Sequence, residues 1–107
     1  MSLDLIQKQV DNWAKQFEPA YWPVLEQFAQ LSEEVGEVAR EINHLYGSKK
    51  KKSDESTKGL DQELVQVLFV LCCISNNLGI NLQEEWEKMI IERQYKRDNK
   101  RFERKSS

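Results

Sequence analysis

From Phe28 to Leu45, apolar residues recur at alternating steps of three and four: Phe28, Leu31, Val35, Val38, Ile42 and Leu45. That spacing keeps one side of an α-helix apolar along its length, and it conflicts with a strand, whose faces alternate at every second residue. The rest of the chain follows suit. Gly and Pro are scarce, and Val, Ile and Thr do not alternate with polar residues, so strands are not expected. The fold class is all-α, a bundle of about four helices whose apolar burial is completed by oligomerisation.

The first helix is expected from about Leu3 to Phe17, with Leu5, Ile6, Val10 and Trp13 near helical spacing. Pro19 and Pro23 interrupt it, and Pro23 suits the first turn of the next helix. The second helix runs from about Pro23 to Tyr46, carries the seam directed at the core, and stops at Gly47. The stretch 48–57 holds four consecutive lysines, Lys49 to Lys52, and reads as a mobile basic loop. The third helix runs from about Lys58 to Leu78; between Leu64 and Ile74 only Gln66 is polar, which predicts burial on most sides. Gly79 ends it. The fourth runs from about Leu82 to Phe102, with Asn81 as N-cap, Glu84 at the capping-box position and a basic second half. Residues 103–107 are expected to fray.

A chain of 107 residues is a single domain, 1–107, with a modest core. The third helix is too apolar to face water, so a homo-oligomer, dimer or tetramer, is expected. The net charge of −2 gives no reason to expect nucleic acid as a partner. No apolar run approaches the roughly 20 residues that span a bilayer, so no membrane partner is expected. Met1 to Asp11 lacks a basic region followed by an apolar stretch. Cys72 and Cys73 are neighbours in an apolar helix, poorly placed to bridge each other, which suits a reducing, cytoplasmic setting.

The residues that carry chemistry are acidic. With Glu33 at the origin of the helical wheel, Glu37 falls at about 40°, Glu41 at about 80° and Glu34 at about 100°, while the apolar seam centres at about 170°. Carboxylates so placed border the seam rather than oppose it. Their mutual repulsion grows with burial unless a cation offsets it. On the third helix Glu63 and Gln66 share a face. An oxygen-only donor set suits Mg2+ or Mn2+, and a single histidine, His44, argues against zinc or a di-iron bundle. The alternative is that these glutamates are simply a solvated helix face, since Glu is a strong helix former.

Taken together, the stretch Leu31 to His44 with Glu33, Glu34 and Glu37, the stretch Gln62 to Leu71 with Glu63 and Gln66, and the closing Arg93, Arg97, Asp98 and Arg101 resemble the MazG-like nucleotide pyrophosphohydrolases. The resemblance implies an all-α oligomer that uses Mg2+ to cleave a nucleoside triphosphate to the monophosphate and pyrophosphate, clearing surplus or noncanonical nucleotides. It implies metal binding by Glu34, Glu37, Glu63 and position 66. It implies a water-activating role for Glu33 and phosphate contacts from Arg93 and Arg97. Asn76 is a further candidate for substrate. Three positions depart from the family pattern: Gln66 stands for an aspartate, Val65 for a small residue and Arg93 for a lysine. The neutral Gln66 opens an alternative, a catalytically impaired homologue that binds nucleotide or regulates.

Overall fold

The computed structural model describes residues 1–48 and 59–105. Among them are four α-helices and no strand: α1 (Leu3–Ala14), α2 (Val24–Tyr46), α3 (Leu60–Leu78) and α4 (Leu82–Met89). The basic loop expected at 48–57 lies, from Lys49 onward, outside the described residues, as do Ser106 and Ser107. Glu103 to Lys105 are exposed and carry no regular structure.

The helix ends follow from local chemistry. Ser2 caps α1, accepting from the Leu5 amide at 3.2 Å. Pro23 takes the N-cap position of α2 rather than its first turn. Gly47 closes α2 with its N–H on the Asn43 carbonyl at 2.9 Å. At the end of α3, Gly79 adopts a left-handed φ of 69°. The Ile80 amide then reaches back to the Ser75 carbonyl at 2.8 Å and the Gly79 amide to Asn76 at 3.4 Å, the paired bonds of a Schellman ending. Two residues later Asn81 starts α4, its side chain accepting from the Glu84 amide at 3.0 Å.

α3 is the common partner of α1 and α2. The Asn77 side chain donates to Gln27 at 3.0 Å and to the Trp22 carbonyl at 3.1 Å, so α2 begins where α3 ends and the two run antiparallel. α1 is antiparallel to α3 as well, since Gln7 meets Asn76 near one end and Trp13 meets Phe69 further along. α1 and α2 therefore point the same way, each packed on α3. Residues 15–23 must bring the chain back over about 18 Å, roughly twelve helical rises, from the end of α1 to the start of α2.

The buried apolar residues are few, Val10, Ala14, Val70 and Cys72, and a polar joint fastens the helices at one end. Gln7 is its centre. Its amide nitrogen donates to Asn76 Oδ1 and to the Ile80 carbonyl, each at 2.9 Å, and its carbonyl accepts from the Leu82 amide at 2.8 Å. Asn76 returns a bond to the Gln7 backbone carbonyl at 3.1 Å. Tyr21 donates to Asp11; this bond holds the Asp11 carboxyl below its usual range, and burial with the Asp11 bond raises the Tyr21 hydroxyl.

Three expectations need correction. The seam of α2 does not face the core of its own chain: Phe28 is 62% and Val35 51% exposed, and Ile42 and Leu45 are exposed too. The side of α2 that meets α3 carries Gln27, Glu34 and Glu41, spaced by seven and lying at about 80–120° on the same wheel. Second, α3 is not covered all round, since Leu64, Val65, Leu71 and Leu78 are exposed. Third, the last helix is not continuous. It stops at Met89, widens into a π-helical segment, Ile90–Tyr95, and ends in a 3₁₀ turn, Asp98–Lys100. α1 likewise stops at Ala14, three residues short of Phe17. Among the described residues no single helix is long and apolar enough to cross a membrane.

Candidate metal and nucleotide site

The bond between Gln27 and Asn77 fixes the register of the α2–α3 pair. Seven residues along each helix is a rise of about 10.5 Å, so antiparallel packing sets Glu34 level with Val70 and Glu41 level with Glu63. By the same count Glu37 stands level with Gln66 and Val67. Burial agrees with this register. Glu63 is 2% and Glu41 5% exposed, and Val70 is fully enclosed. Glu34 is half-buried, with its Oε2 shielded from solvent, as is Oε2 of Glu63. None of Glu34, Glu41 or Glu63 is an isolated charge.

The contact between two helices is thus lined by carboxylates where a small domain would ordinarily place Leu or Val. Glu37 lies nearer the rim and approaches Arg40 at 3.9 Å. Glu33 is exposed and, with Glu34, Trp22, Glu26, Ala29 and Gln30, lines a hollow of about 340 Å³. Gln66 is half-buried one turn beyond Glu63, and its side chain makes no hydrogen bond with another described residue. The donors present are all oxygens, as a hard dication requires. Among the described residues, no three Asp, Glu, His or Cys side chains gather closely enough to form a ready cage. Carboxylates of like charge keep apart until a cation comes between them, so drawing Glu34, Glu37 and Glu63 together would take side-chain rotation about a fixed backbone.

The other candidates lie elsewhere. Asn76 is thirteen residues from Glu63 along α3, about 20 Å, and its amide is committed to the joint with Gln7. Arg93 is exposed in the π-helical segment Ile90–Tyr95, and Arg97, also exposed, lies two residues beyond it. Arg97 donates to Asp98 at 2.9 Å, and Arg101 approaches the same oxygen at 3.8 Å. The bond from Arg97, with the charges of Arg97, Arg101 and Arg93, holds the Asp98 carboxyl below its usual range. The helix bearing these arginines is bent 107° from α3.

Residues 25–102 match the MazG nucleotide pyrophosphohydrolase domain. This chain belongs to the MazG family. It is 43% identical over 100 residues to YpjD of Bacillus subtilis strain 168, an uncharacterized protein; the match covers 94% of this chain and 89% of that one. The crystal structure of YpjD, described there as a pyrophosphatase candidate, superimposes with a TM-score of 0.77 at 41% identity, over 87% of this chain and 95% of that one. A Bacillus-conserved MazG protein, described as a nucleotide pyrophosphohydrolase, gives a TM-score of 0.69 at 34% identity, over 99% and 95% of the two chains.

The matched MazG segment contains every candidate residue on α2, α3 and the arginine-bearing end. It leaves out α1 and the whole return segment, 15–23. Sequence reasoning placed Glu41 on the acidic wheel but did not count it with the site. The seven-residue spacing Gln27, Glu34, Glu41, answered by Glu63, Val70 and Asn77 on α3, is the signal that would have included it.

Proposed function

We propose that this MazG domain is a divalent-metal-dependent nucleoside triphosphate pyrophosphohydrolase that releases the monophosphate and pyrophosphate and clears surplus or noncanonical nucleotides from the cytoplasm. The observation that carries this reading is the level pairing of acidic residues across the α2–α3 contact, two of them almost fully enclosed. Carboxylates gathered at one helix contact supply the hard oxygen donors that a dication takes.

In this reading Glu34, Glu37 and Glu63 hold Mg2+ or Mn2+, Gln66 adds a neutral carbonyl oxygen, and Glu41 raises the negative potential beside Glu63. When bound, the dication neutralises phosphate charge and acidifies water. Glu33, exposed at the edge of the hollow, accepts the proton of the attacking water. The water oxygen bonds to the α-phosphorus, the bond from that phosphorus to the bridging oxygen breaks, and pyrophosphate leaves. Arg93, and Arg97 on exchanging Asp98 for phosphate, receive it. Asn76 serves by holding α1 on α3 instead of touching substrate. The uncovered seam of α2 supports a homo-oligomer in which a second copy covers Phe28, Val35 and Ile42.

The test is a panel of deoxynucleoside and nucleoside triphosphates with Mg2+ or Mn2+, read as pyrophosphate release. Turnover is expected. Gln66 motivates a second reading, since an amide brings no charge to the metal: a homologue that binds nucleotide without consuming it. No release from any nucleotide, under conditions where Gln66→Asp does release, would overturn the enzyme reading in favour of this one. Calorimetry would then find nucleotide bound and intact.

A further inference from the structure

The arm that carries the arginines owes its direction to a helix far away in sequence. After Gly79 the chain turns, and the segment Leu82–Lys100 leaves at 107° to α3. Among the described residues this arm packs on α1 rather than on α3, its neighbour in sequence. A groove of about 720 Å³ separates α4 from α3, with Leu68, Leu71 and Ile74 on one wall and Trp86 and Met89 on the other. The corner itself is not wedged: Gly79, at its left-handed φ of 69°, has open space where a side chain would stand.

α1 supplies the missing support. The Gln7 carbonyl accepts from the Leu82 amide at 2.8 Å, and its amide nitrogen donates to the Ile80 carbonyl and to Asn76 Oδ1, each at 2.9 Å. One buried side chain thus holds the last turn of α3, the corner and the first residue of α4. Ile80 and Leu82 lie on either side of Asn81, so a turn of the arm at Asn81 moves one of these partners away from Gln7 while the other stays. A second tie lies one turn earlier on α1, where the Leu3 amide donates to Gln83 Oε1 at 3.0 Å. The leverage is large. Arg97 stands fifteen residues beyond Leu82, about 20 Å along the arm. A rotation of about 10° at the corner therefore carries Arg97 about 3.5 Å, farther than the length of a hydrogen bond.

We propose that Gln7 is a positioning residue for the polyphosphate: through the corner it fixes the angle at which Arg93 and Arg97 are presented, and the bond between Leu3 and Gln83 supports it. The proposal rests on the nucleotide reading above and deepens it by placing control of the arginines in α1, outside the matched MazG segment.

The test uses the intact protein and needs no turnover. Trp86, half exposed in the groove, reports the angle of the arm through its indole N–H signal. In Gln7→Met that signal is expected to shift while the amide of Glu41, at the far end of α2, stays. With Mn2+ in excess, calorimetry is expected to find inorganic tripolyphosphate bound about tenfold more weakly, the worth of one charged hydrogen bond, with the affinity for Mn2+ alone unchanged. In an Arg97→Gln background the same change is expected to cost little more, because the two act through one contact. Gln83→Met, which removes the Leu3 bond and leaves Gln7 in place, is expected to act in the same direction more weakly, and it carries the test if Gln7→Met does not fold. An unmoved Trp86 signal, an equal loss with and without Arg97, or a parallel loss of Mn2+ affinity would each overturn the positioning role. A wild-type protein that binds Mn2+ and tripolyphosphate, shows this dependence on Arg97 and yet releases no pyrophosphate would uphold the positioning role and remove the hydrolase reading. Pyrophosphate release and tripolyphosphate affinity both unchanged in the folded variants would overturn the positioning role and leave the hydrolase reading standing. A wild-type protein that binds no tripolyphosphate would overturn both.

Discussion

Gln7→Met tests whether a polar joint, rather than apolar burial, fastens α1 to the rest of the chain. Methionine keeps the length and volume of the side chain and removes its hydrogen bonds. Three are lost: the bonds to Asn76 Oδ1 and to the Ile80 carbonyl, each 2.9 Å, and the bond from the Leu82 amide, 2.8 Å. Each is worth about 1 kcal/mol net, and leaving buried partners unsatisfied adds to the cost. The joint is part-buried, so water recovers some of the loss, and the net destabilisation is expected at about 2–3 kcal/mol. That is a large share of the roughly 5–15 kcal/mol that holds a domain of this size. The measurement is urea unfolding followed by far-UV circular dichroism, at one protomer concentration because association shifts the midpoint. Combining Gln7→Met with Asn76→Leu is expected to cost less than the sum of the two, because they share a bond. A loss below about 0.5 kcal/mol, or strict additivity, would refute the argument that this amide anchors α1.

Gln66→Asp restores a negative charge one turn from Glu63 and is expected to tighten Mn2+ binding about tenfold, equivalent to about 1.4 kcal/mol, measured by calorimetry. Val35→Lys places a charge in the middle of the uncovered seam of α2 and is expected to lower the mass seen by light scattering; a wild-type protein that is already a stable monomer would contradict the oligomer. The Asp11 carboxyl is held low chiefly by the Tyr21 bond, then by Lys15, so its stabilisation is present above the unfolded pKa of about 3.9 and is lost as pH falls through the folded value. Tyr21→Phe is expected to make unfolding free energy less steep in pH below about pH 4, and an unchanged slope would show that this pair does not contribute.

Much of the fold was legible in local chemistry. Asn81, Gly79 and Gly47 mark helix ends because caps and left-handed turns depend on a few adjacent residues. The direction of burial was not legible on α2. Six apolar residues in register say that a face avoids water, but not which chain covers it. In the single chain the contact with α3 goes to Gln27, Glu34 and Glu41 instead. The carboxylates themselves stood out by type and spacing, whereas the opposition of Glu41 and Glu63 depends on a bond between Gln27 and Asn77, fifty residues apart. Asn76 looked available because its partner, Gln7, lies sixty-nine residues away. Nothing in the residues from Met89 to Tyr95 marks the widening into a π-helix.

The amide bridge from Asn77 to Gln27 has a consequence for how such a chain can change in length. A one-residue deletion between Glu63 and Asn77 would swing Glu63 by about 100° around its axis and draw it about 1.5 Å along, away from Glu41. Removing four residues would nearly restore the angle, yet would shift Glu63 by about 6 Å, past its counterpart altogether. Side chains here can be exchanged one at a time; the number of residues separating the amide from the acid has no such freedom.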